Sequence, residues 1–361
     1  MKRIALIDFD MSVVGGVEQV TAALASALAD FAEVHLISLC LADGSPAYPL
    51  DPRLTFVSLS EKPDRLRLMR KKLRPMLADY LRSHRIDAAI IQGNYPGFIA
   101  SAVRFSCRTK LIFCDHGALM NQWGQKDIVL MRWIASRLCH MTVTLTRQSR
   151  DDYIHRFHLP NRRVTFIYNW IDLDIPRSDV FDASSHRIVS AGRFGKEKGF
   201  DLLVKAFAPV AQTHPDWHLD LFGDGEMMPE VRRLVDVYGL ADNVHLLGMR
   251  KDLAQRYRDY AMYVLPSHRE GMPLVLLEAK ANRLPIVSFD VMTGPREIVR
   301  DGIDGLLVPP EDVEALGRAM CRVIEDDALR QSMSDRSQEN LDRFSKETIL
   351  QQWLALLENK L

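Results

Sequence analysis

The chain has 361 residues, 47 Lys and Arg against 47 Asp and Glu, and 47% hydrophobic residues. That length and apolar content support two domains with separate cores, and a formal net charge of zero excludes a molecule built as a whole to hold nucleic acid. Cys40, Cys107, Cys114, Cys139 and Cys321 are odd in number and include no C-x-x-C pair, which argues against a disulfide framework or a zinc site and for a reducing cytoplasm.

The first apolar run, residues 4–7, stops at Asp8 and reads as a strand, too short for the core of a signal peptide. No stretch approaches the ~20 apolar residues of a membrane span, so any membrane contact is expected to be peripheral. Gly15-Gly16 follow, ahead of a helix beginning near Val17. They read either as the turn into that helix or as a place where a ligand approaches the backbone, and they lack the G-x-G-x-x-G spacing of a dinucleotide fold. Further apolar runs at 34–39, 88–91, 111–113 and 142–145 alternate with helical patterns.

Between the early strands, residues 65–74 carry six cations and no acid, while Leu66, Met69, Leu73, Met76, Leu77 and Tyr80 form one helical stripe. Pro75 is expected to kink or split that helix. The stripe reads as core-facing with a solvated basic face; the functional alternative is docking on an anionic membrane or a lipid-diphosphate acceptor. His116 follows the 111–113 run within Asp115-His116-Gly117.

Periodicity lapses between Asn169 and Arg187, where Asp172, Asp174, Pro176, Asp179 and Ser184-Ser185 give a linker composition. The second half repeats the alternation, with runs at 188–190, 219–222, 244–247, 262–265, 286–289 and 306–308. Continuous apolar strands separated by helices imply two parallel sheets covered on both faces. Ile349, Trp353, Leu354 and Leu357 mark a last amphipathic helix.

Two loops of the second half carry chemistry. After the 262–265 run, Glu270-Gly271-Met272-Pro273-Leu274 opens a helix in which Pro273 is placed in the first turn, leaving the amides of Gly271, Met272 and Leu274 to face an anion. Glu278 lies deeper in that helix, where a carboxylate accepts hydrogen bonds from paired ribose hydroxyls. After the 188–190 run, Arg193 and Lys198 supply cations for the same diphosphate, the first as a planar fork and the second as a point charge. Either alone reads as a solvated surface charge. A glycosidase pair is disfavoured for Glu270 and Glu278, because eight helical residues rise about 12 Å, beyond the ~5–9.5 Å such carboxylates need.

Gly192-Arg193, Lys198-Gly199, Gly223-Asp224-Gly225 and Glu270-Gly271-Met272-Pro273 with Glu278 together resemble the retaining glycosyltransferases of family 4, which have the GT-B fold. The likeness is specific from Arg187 to Pro309; in the first 170 residues only Gly15-Gly16 and Asp115-His116-Gly117 carry it. It implies two Rossmann-like domains facing across a cleft: an acceptor-side domain over 1–172, a nucleotide-sugar domain over 173–343, and a helix over 344–361 returning to the first.

The resemblance also implies roles. Arg193, Lys198 and Glu270 would serve the reaction, with Glu270 on the donor sugar's hydroxyls and His116 touching the transferred sugar. Gly15 and Gly16 would face the donor phosphates, and Gly271, Met272, Pro273, Leu274 and Glu278 would bind the nucleotide. A lone histidine reads equally as structural. Asp8-Phe9-Asp10 and Asp172-Leu173-Asp174 have the D-x-D form of metal-dependent transferases, but protein cations and a helix terminus serve the diphosphate, so neither a metal nor a cofactor is expected.

Asn169-Trp170-Ile171-Asp172 departs from the Asn-Gly-Ile-Asp of many members, and 289–297 resembles the branch that builds bacterial surface polysaccharides. The expected protein is cytoplasmic, with possible peripheral attachment at the inner face of the membrane. It transfers a hexose or acetamidohexose from a UDP-sugar to a glycan acceptor, expected to be lipid-linked. A sugar-nucleotide epimerase on the same fold and a non-catalytic sugar-nucleotide-binding protein are the alternatives.

Overall fold

A computed structural model describes residues 1–171, 181–250 and 252–358. Asp172, Asp174, Pro176 and Asp179 of the expected linker lie outside the described residues. The chain divides into two compact units, Met1–Asn169 with Ile349 onward, and Trp170–Thr348.

The first unit runs β1 (Arg3–Asp10), α1 (Gly16–Leu28), β2 (Glu33–Cys40), β3 (Thr55–Ser58), α2 (Leu66–Ser83), β4 (Ala88–Gln92), α3 (Asn94–Ala100), β5 (Lys110–Asp115), α4 (Lys126–Leu138), β6 (Met141–Thr144), α5 (Arg147–Phe157) and β7 (Val164–Phe166). Its seven strands are ordered β3-β2-β1-β4-β5-β6-β7, and every pairing is parallel. Crossover helices cover both faces of such a sheet, which is why Ile4, Leu6 and Ile7 of β1 and Ile90 and Ile91 of β4 are all buried instead of alternating.

The second unit runs β8 (Arg187–Ala191), α6 (Phe200–Thr213), β9 (His218–Phe222), α7 (Met228–Val237), β10 (Val244–Gly248), α8 (Leu253–Arg256), β11 (Met262–Leu265), α9 (Leu274–Ala281), β12 (Ile286–Phe289), α10 (Pro295–Ile298), β13 (Gly305–Val308), α11 (Val313–Glu325) and α12 (Asp327–Arg336). Its six parallel strands are ordered β10-β9-β8-β11-β12-β13. The order reverses beside β8, between β8 and β11, and ligands of open α/β sheets sit beyond the strand ends at such a point. Both chemistry-bearing loops leave those two strands.

The closing helix, α13 (Lys346–Glu358), buries Ile349, Leu350, Trp353, Leu356 and Leu357. The side-chain amines of Lys2 and Lys110 donate to the carbonyls of Leu357 and Leu356 at 2.8 and 3.4 Å, satisfying acceptors that a helix end leaves open.

Candidate active site

The loop after β8 is pressed against the loop after β11 at one glycine. Gly199 has φ +64°, and a Cβ there would lie 2.1 Å from the carbonyl oxygen of Pro266. Only glycine permits both the left-handed backbone and that approach. His268 N donates to Glu197 O at 2.9 Å across the same seam. The seam delivers Lys198 Nζ to 2.7 Å from Glu270 Oε1, an oxygen that also accepts from Ser267 Oγ at 2.7 Å. Thr293 Oγ1 donates to the backbone carbonyl of Glu270 at 2.5 Å. Glu270 is only 7% exposed, so its carboxylate is held by neighbours and not by bulk water.

Arg193, on the same loop, is oriented differently. Its side chain is 76% exposed and pairs with Glu197 at 2.7 Å. A surface pair of this kind is worth about 0–1 kcal/mol, so releasing the guanidinium from Glu197 costs little. The loop itself is fixed from below: Gly223, φ +133°, would place a Cβ 1.9 Å from Gly192 O, and Phe194 N donates to Asp224 O at 2.8 Å. Gly223-Asp224-Gly225 thus supports the Arg193 loop. Tyr263 pins the end of β8, accepting from Ala191 N at 3.1 Å and donating to Ala191 O at 2.9 Å.

The helix after Glu270 begins one residue later than the sequence suggests. Pro273 is its N-cap, with extended ψ 99°, and α9 starts at Leu274. Leu276 N already bonds to Pro273 O at 3.1 Å, so Leu274 and Val275 are the amides the helix presents, while those of Gly271 and Met272 belong to the preceding turn. Glu278 is the fifth residue of α9, and its Oε2 accepts from the Tyr257 hydroxyl at 3.1 Å. Burial holds its carboxyl above the usual range, with the Tyr257 bond pulling the other way. Glu270 and Glu278 keep separate partners.

In the first unit, His116 follows β5, its Nε2 2.6 Å from Gln92 Oε1. Burial pushes the imidazole down to about 4, against the raising effect of Asp115, so the ring is neutral at physiological pH. With the Gln92 oxygen as acceptor, Nε2 carries the proton and Nδ1 presents a lone pair. The flanking Asp115 is locked: Arg132 Nε lies 2.9 Å from its Oδ2, Tyr153 OH donates to the same oxygen at 2.7 Å, and Gly117 N donates to Oδ1 at 3.2 Å. A Cβ on Gly117 would fall 2.2 Å from Arg132 Nη2, so the glycine makes room for the guanidinium. Gly15 is the N-cap of α1 with an extended φ of −151° that any residue adopts. A Cβ on Gly16 would meet nothing within 4 Å.

The first D-x-D pair is occupied within its own unit. Asp8 accepts from Thr21 Oγ1 and from Phe9 N, each at 2.6 Å, and burial pushes its carboxyl up to about 7. Asp10 Oδ1 accepts from Ser12 N and Oγ at 3.0 and 2.6 Å, closing the turn after β1. Asp172 and Asp174 lie outside the described residues.

The stripe of the basic helix faces the core through Met69, Leu73 and Leu77, which are buried with Leu81, whereas Met76 is exposed and departs from that expectation. Pro75 sits inside an α2 assigned as one unbroken helix, so the expected split does not occur. Arg70 stacks 4.4 Å over Phe98, and Arg74 Nη2 donates to Ser106 Oγ at 3.2 Å. Arg67, Lys71 and Lys72 remain exposed beside Leu68 and Met76. Next to Ser106, Phe105 is 84% exposed. On α4, which packs with α2 against α3, Leu130 and Trp133 are exposed too, and Arg137 lies 5.6 Å over the Trp133 ring. No helix among the described residues is long and apolar enough to cross a membrane.

Comparison with known proteins bears on the family and the fold. The model of glycosyltransferase family 4 matches residues 14–175 and that of glycosyl transferases group 1 matches residues 174–340. An amylovoran biosynthesis glycosyltransferase of Erwinia amylovora is 28% identical over 366 residues, covering 99% of each chain. An exopolysaccharide phosphotransferase of Streptomyces coelicolor is 41% identical over 182 residues, which is half of this chain but only 19% of that protein. Among solved structures, an Anabaena protein crystallised with UDP-glucose superposes with a TM-score of 0.81 at 20% identity, covering 99% of both chains, a likeness of fold.

Proposed function

The chain belongs to the glycosyltransferases with the GT-B fold, and from that premise we propose that it moves a hexose or acetamidohexose, with retention, from a UDP-sugar to a lipid-linked glycan of a surface polysaccharide. The observation that carries the reading is the Lys198, Glu270 and Ser267 cluster at the point where the second sheet reverses. It sets a cation and an oriented carboxylate side by side, beside the start of α9. The relatives that make exopolysaccharides and the neighbour that binds UDP-glucose support the choice of donor and pathway class.

In this mechanism the diphosphate lies against the amides that open α9, with Lys198 and a reoriented Arg193 on its oxygens. As the bond from the anomeric carbon to the phosphate oxygen breaks, charge accumulates on that oxygen, and these two cations stabilise it without any need for a metal ion. The acceptor hydroxyl attacks from the same face, and its proton passes to the departing phosphate. Glu270 orients the sugar hydroxyls, Glu278 takes the ribose, and neutral His116 accepts from a sugar hydroxyl through Nδ1. Gly15 and Gly16 let the backbone of the first unit approach the donor phosphates.

The acceptor is read as lipid-linked because the first unit exposes Arg67, Lys71 and Lys72 on α2, Phe105 after α3, and Leu130 and Trp133 on α4, cations and apolar side chains of the kinds that suit an anionic membrane surface. The deciding experiment screens UDP-sugars for UDP release that depends on an acceptor, with the anomeric configuration of the product read by proton NMR. A donor sugar altered in the absence of acceptor would make the protein an epimerase. An inverted product would overturn retention.

A further inference from the structure

The scattered cysteines show no metal-binding spacing in sequence, yet the fold brings one of them to a mixed donor set. We propose that His214, Cys321 and Glu325 form a zinc-class metal site that clamps α6 to α11. One ligand atom from each of the three side chains lies within 4.8 Å of the others, and His214 Nε2 is 3.1 Å from Glu325 Oε1.

The backbone arranges this. Cys321 and Glu325 stand one helical turn apart on α11, so their side chains share a face. His214 is the C-cap residue of α6, its amide bonded to Val210 O at 2.8 Å. The two helices approach closely at Gly317, where a Cβ would lie 3.0 Å from Ala206 O. That approach sets the span between the imidazole and the α11 ligands, whose donor atoms a bound zinc would draw together to bonds of ~2.0–2.3 Å.

An imidazole nitrogen, a thiolate and a carboxylate together select zinc or cobalt over magnesium or calcium, which prefer oxygen alone. Cys321 and Glu325 also line a groove of about 680 Å³, which leaves a fourth position for water. α6 has 14 residues, so the site stands about 20 Å from Lys198, at the far end of the helix that follows the Lys198 loop. It is a clamp on a supporting helix, independent of the proposed transfer reaction.

The test uses the full chain, stripped with chelator, dialysed and titrated with cobalt(II). One equivalent should bind with thiolate-to-cobalt absorption in the near ultraviolet, and zinc should displace it and raise the melting temperature. Cys321→Ser, nearly isosteric, should lose both the absorption and the zinc-dependent shift in melting, and His214→Ala should weaken both. Cys107→Ser, a change at another partly exposed thiol, should alter neither. A wild-type titration without a stoichiometric near-ultraviolet band, or a band that persists in Cys321→Ser, overturns the site.

Discussion

Lys198 Nζ and Glu270 Oε1 are 2.7 Å apart although 72 residues separate them in the chain. The contact exists because Gly199 allows one loop to rest on the carbonyl of Pro266. Without donor, each charge neutralises the other; in the proposed reaction the ammonium meets a phosphate and the carboxylate a set of hydroxyls. Lys198→Ala should therefore lower kcat by about 100-fold or more, with a smaller change in KM, because charge on the phosphate grows in the transition state. Arg193→Ala should act in the same sense. Steady-state kinetics with saturating acceptor decide it: a loss confined to KM assigns both cations to ground-state binding.

Glu278 and Tyr257 give a binding prediction. A ribose contact exists before any reaction, so Glu278→Gln should weaken UDP itself, by about 10-fold, on the scale of a lost hydrogen bond to a charged group. The carboxyl is held high by burial, and the carboxylate form is the better acceptor. UDP affinity should fall as pH drops through that raised range, and Glu278→Gln should flatten the dependence. Isothermal titration with UDP across pH measures both, and equal affinities for wild type and variant would remove Glu278 from the ribose.

Asp8 makes the stability of the first unit depend on pH. Burial pushes its carboxyl up to about 7 in the fold, against an ordinary value of 3.8. Below about pH 4 both states hold the proton and Asp8 costs nothing. Between about 4 and 7 the unfolded chain releases a proton that the fold retains, so stability drains away as pH rises; above 7 the cost is constant, at most about 4 kcal/mol. Asp8→Asn should gain on the wild type across that window. Urea melts at pH 4.5 and 7.5 compare them, and parallel curves would mean that Asp8 is ionised throughout.

Activity should survive EDTA, because the charges proposed for the leaving diphosphate belong to Arg193, Lys198 and the start of α9. Stripping the clamp between α6 and α11 should lower the melting temperature and leave turnover in place at assay temperature. Abolition by chelator with rescue by manganese would return Asp172 and Asp174 to the mechanism.

The membrane reading separates into charge and insertion. Replacing Arg67, Lys71 and Lys72 by Gln should weaken binding to anionic vesicles by about 1 kcal/mol per cation, an effect that salt erases in the wild type. Phe105→Ser with Trp133→Ser should weaken it further in a salt-independent way. Turnover on a water-soluble acceptor should be unchanged in both. Vesicle flotation at two ionic strengths reads these effects, and wild-type protein that stays unbound rules the surface out.

Much of this was legible in the sequence, for reasons that can be named. Buried parallel strands are continuous apolar runs, so each run marked in the sequence is a strand. β3 and β7 were missed because they are edge strands of only four and three residues, in which Val164 alone is buried. The cations and glycines of the β8 loop stood out because their residue types are special. Ser267, Tyr257, Gln92 and Arg132 did not, since each is an ordinary residue whose partner is brought to it by the fold. The stripe on α2 was read as core, which holds for Met69, Leu73 and Leu77 and fails at Met76. What periodicity does not reveal is Phe105, whose meaning comes from its exposure beside a basic helix.

The glycine contacts at 199 and 223 also bear on how this protein can be re-engineered. Where backbone touches backbone, no side chain can be introduced without parting the strands' loops, so libraries aimed at a new donor sugar should leave Gly199, Gly223 and Gly225 fixed. Variation belongs at half-buried positions that open α9, such as Leu274 and Val275. Selectivity in such a scaffold can drift quickly, while the frame that presents Lys198 to Glu270 stays the same from variant to variant.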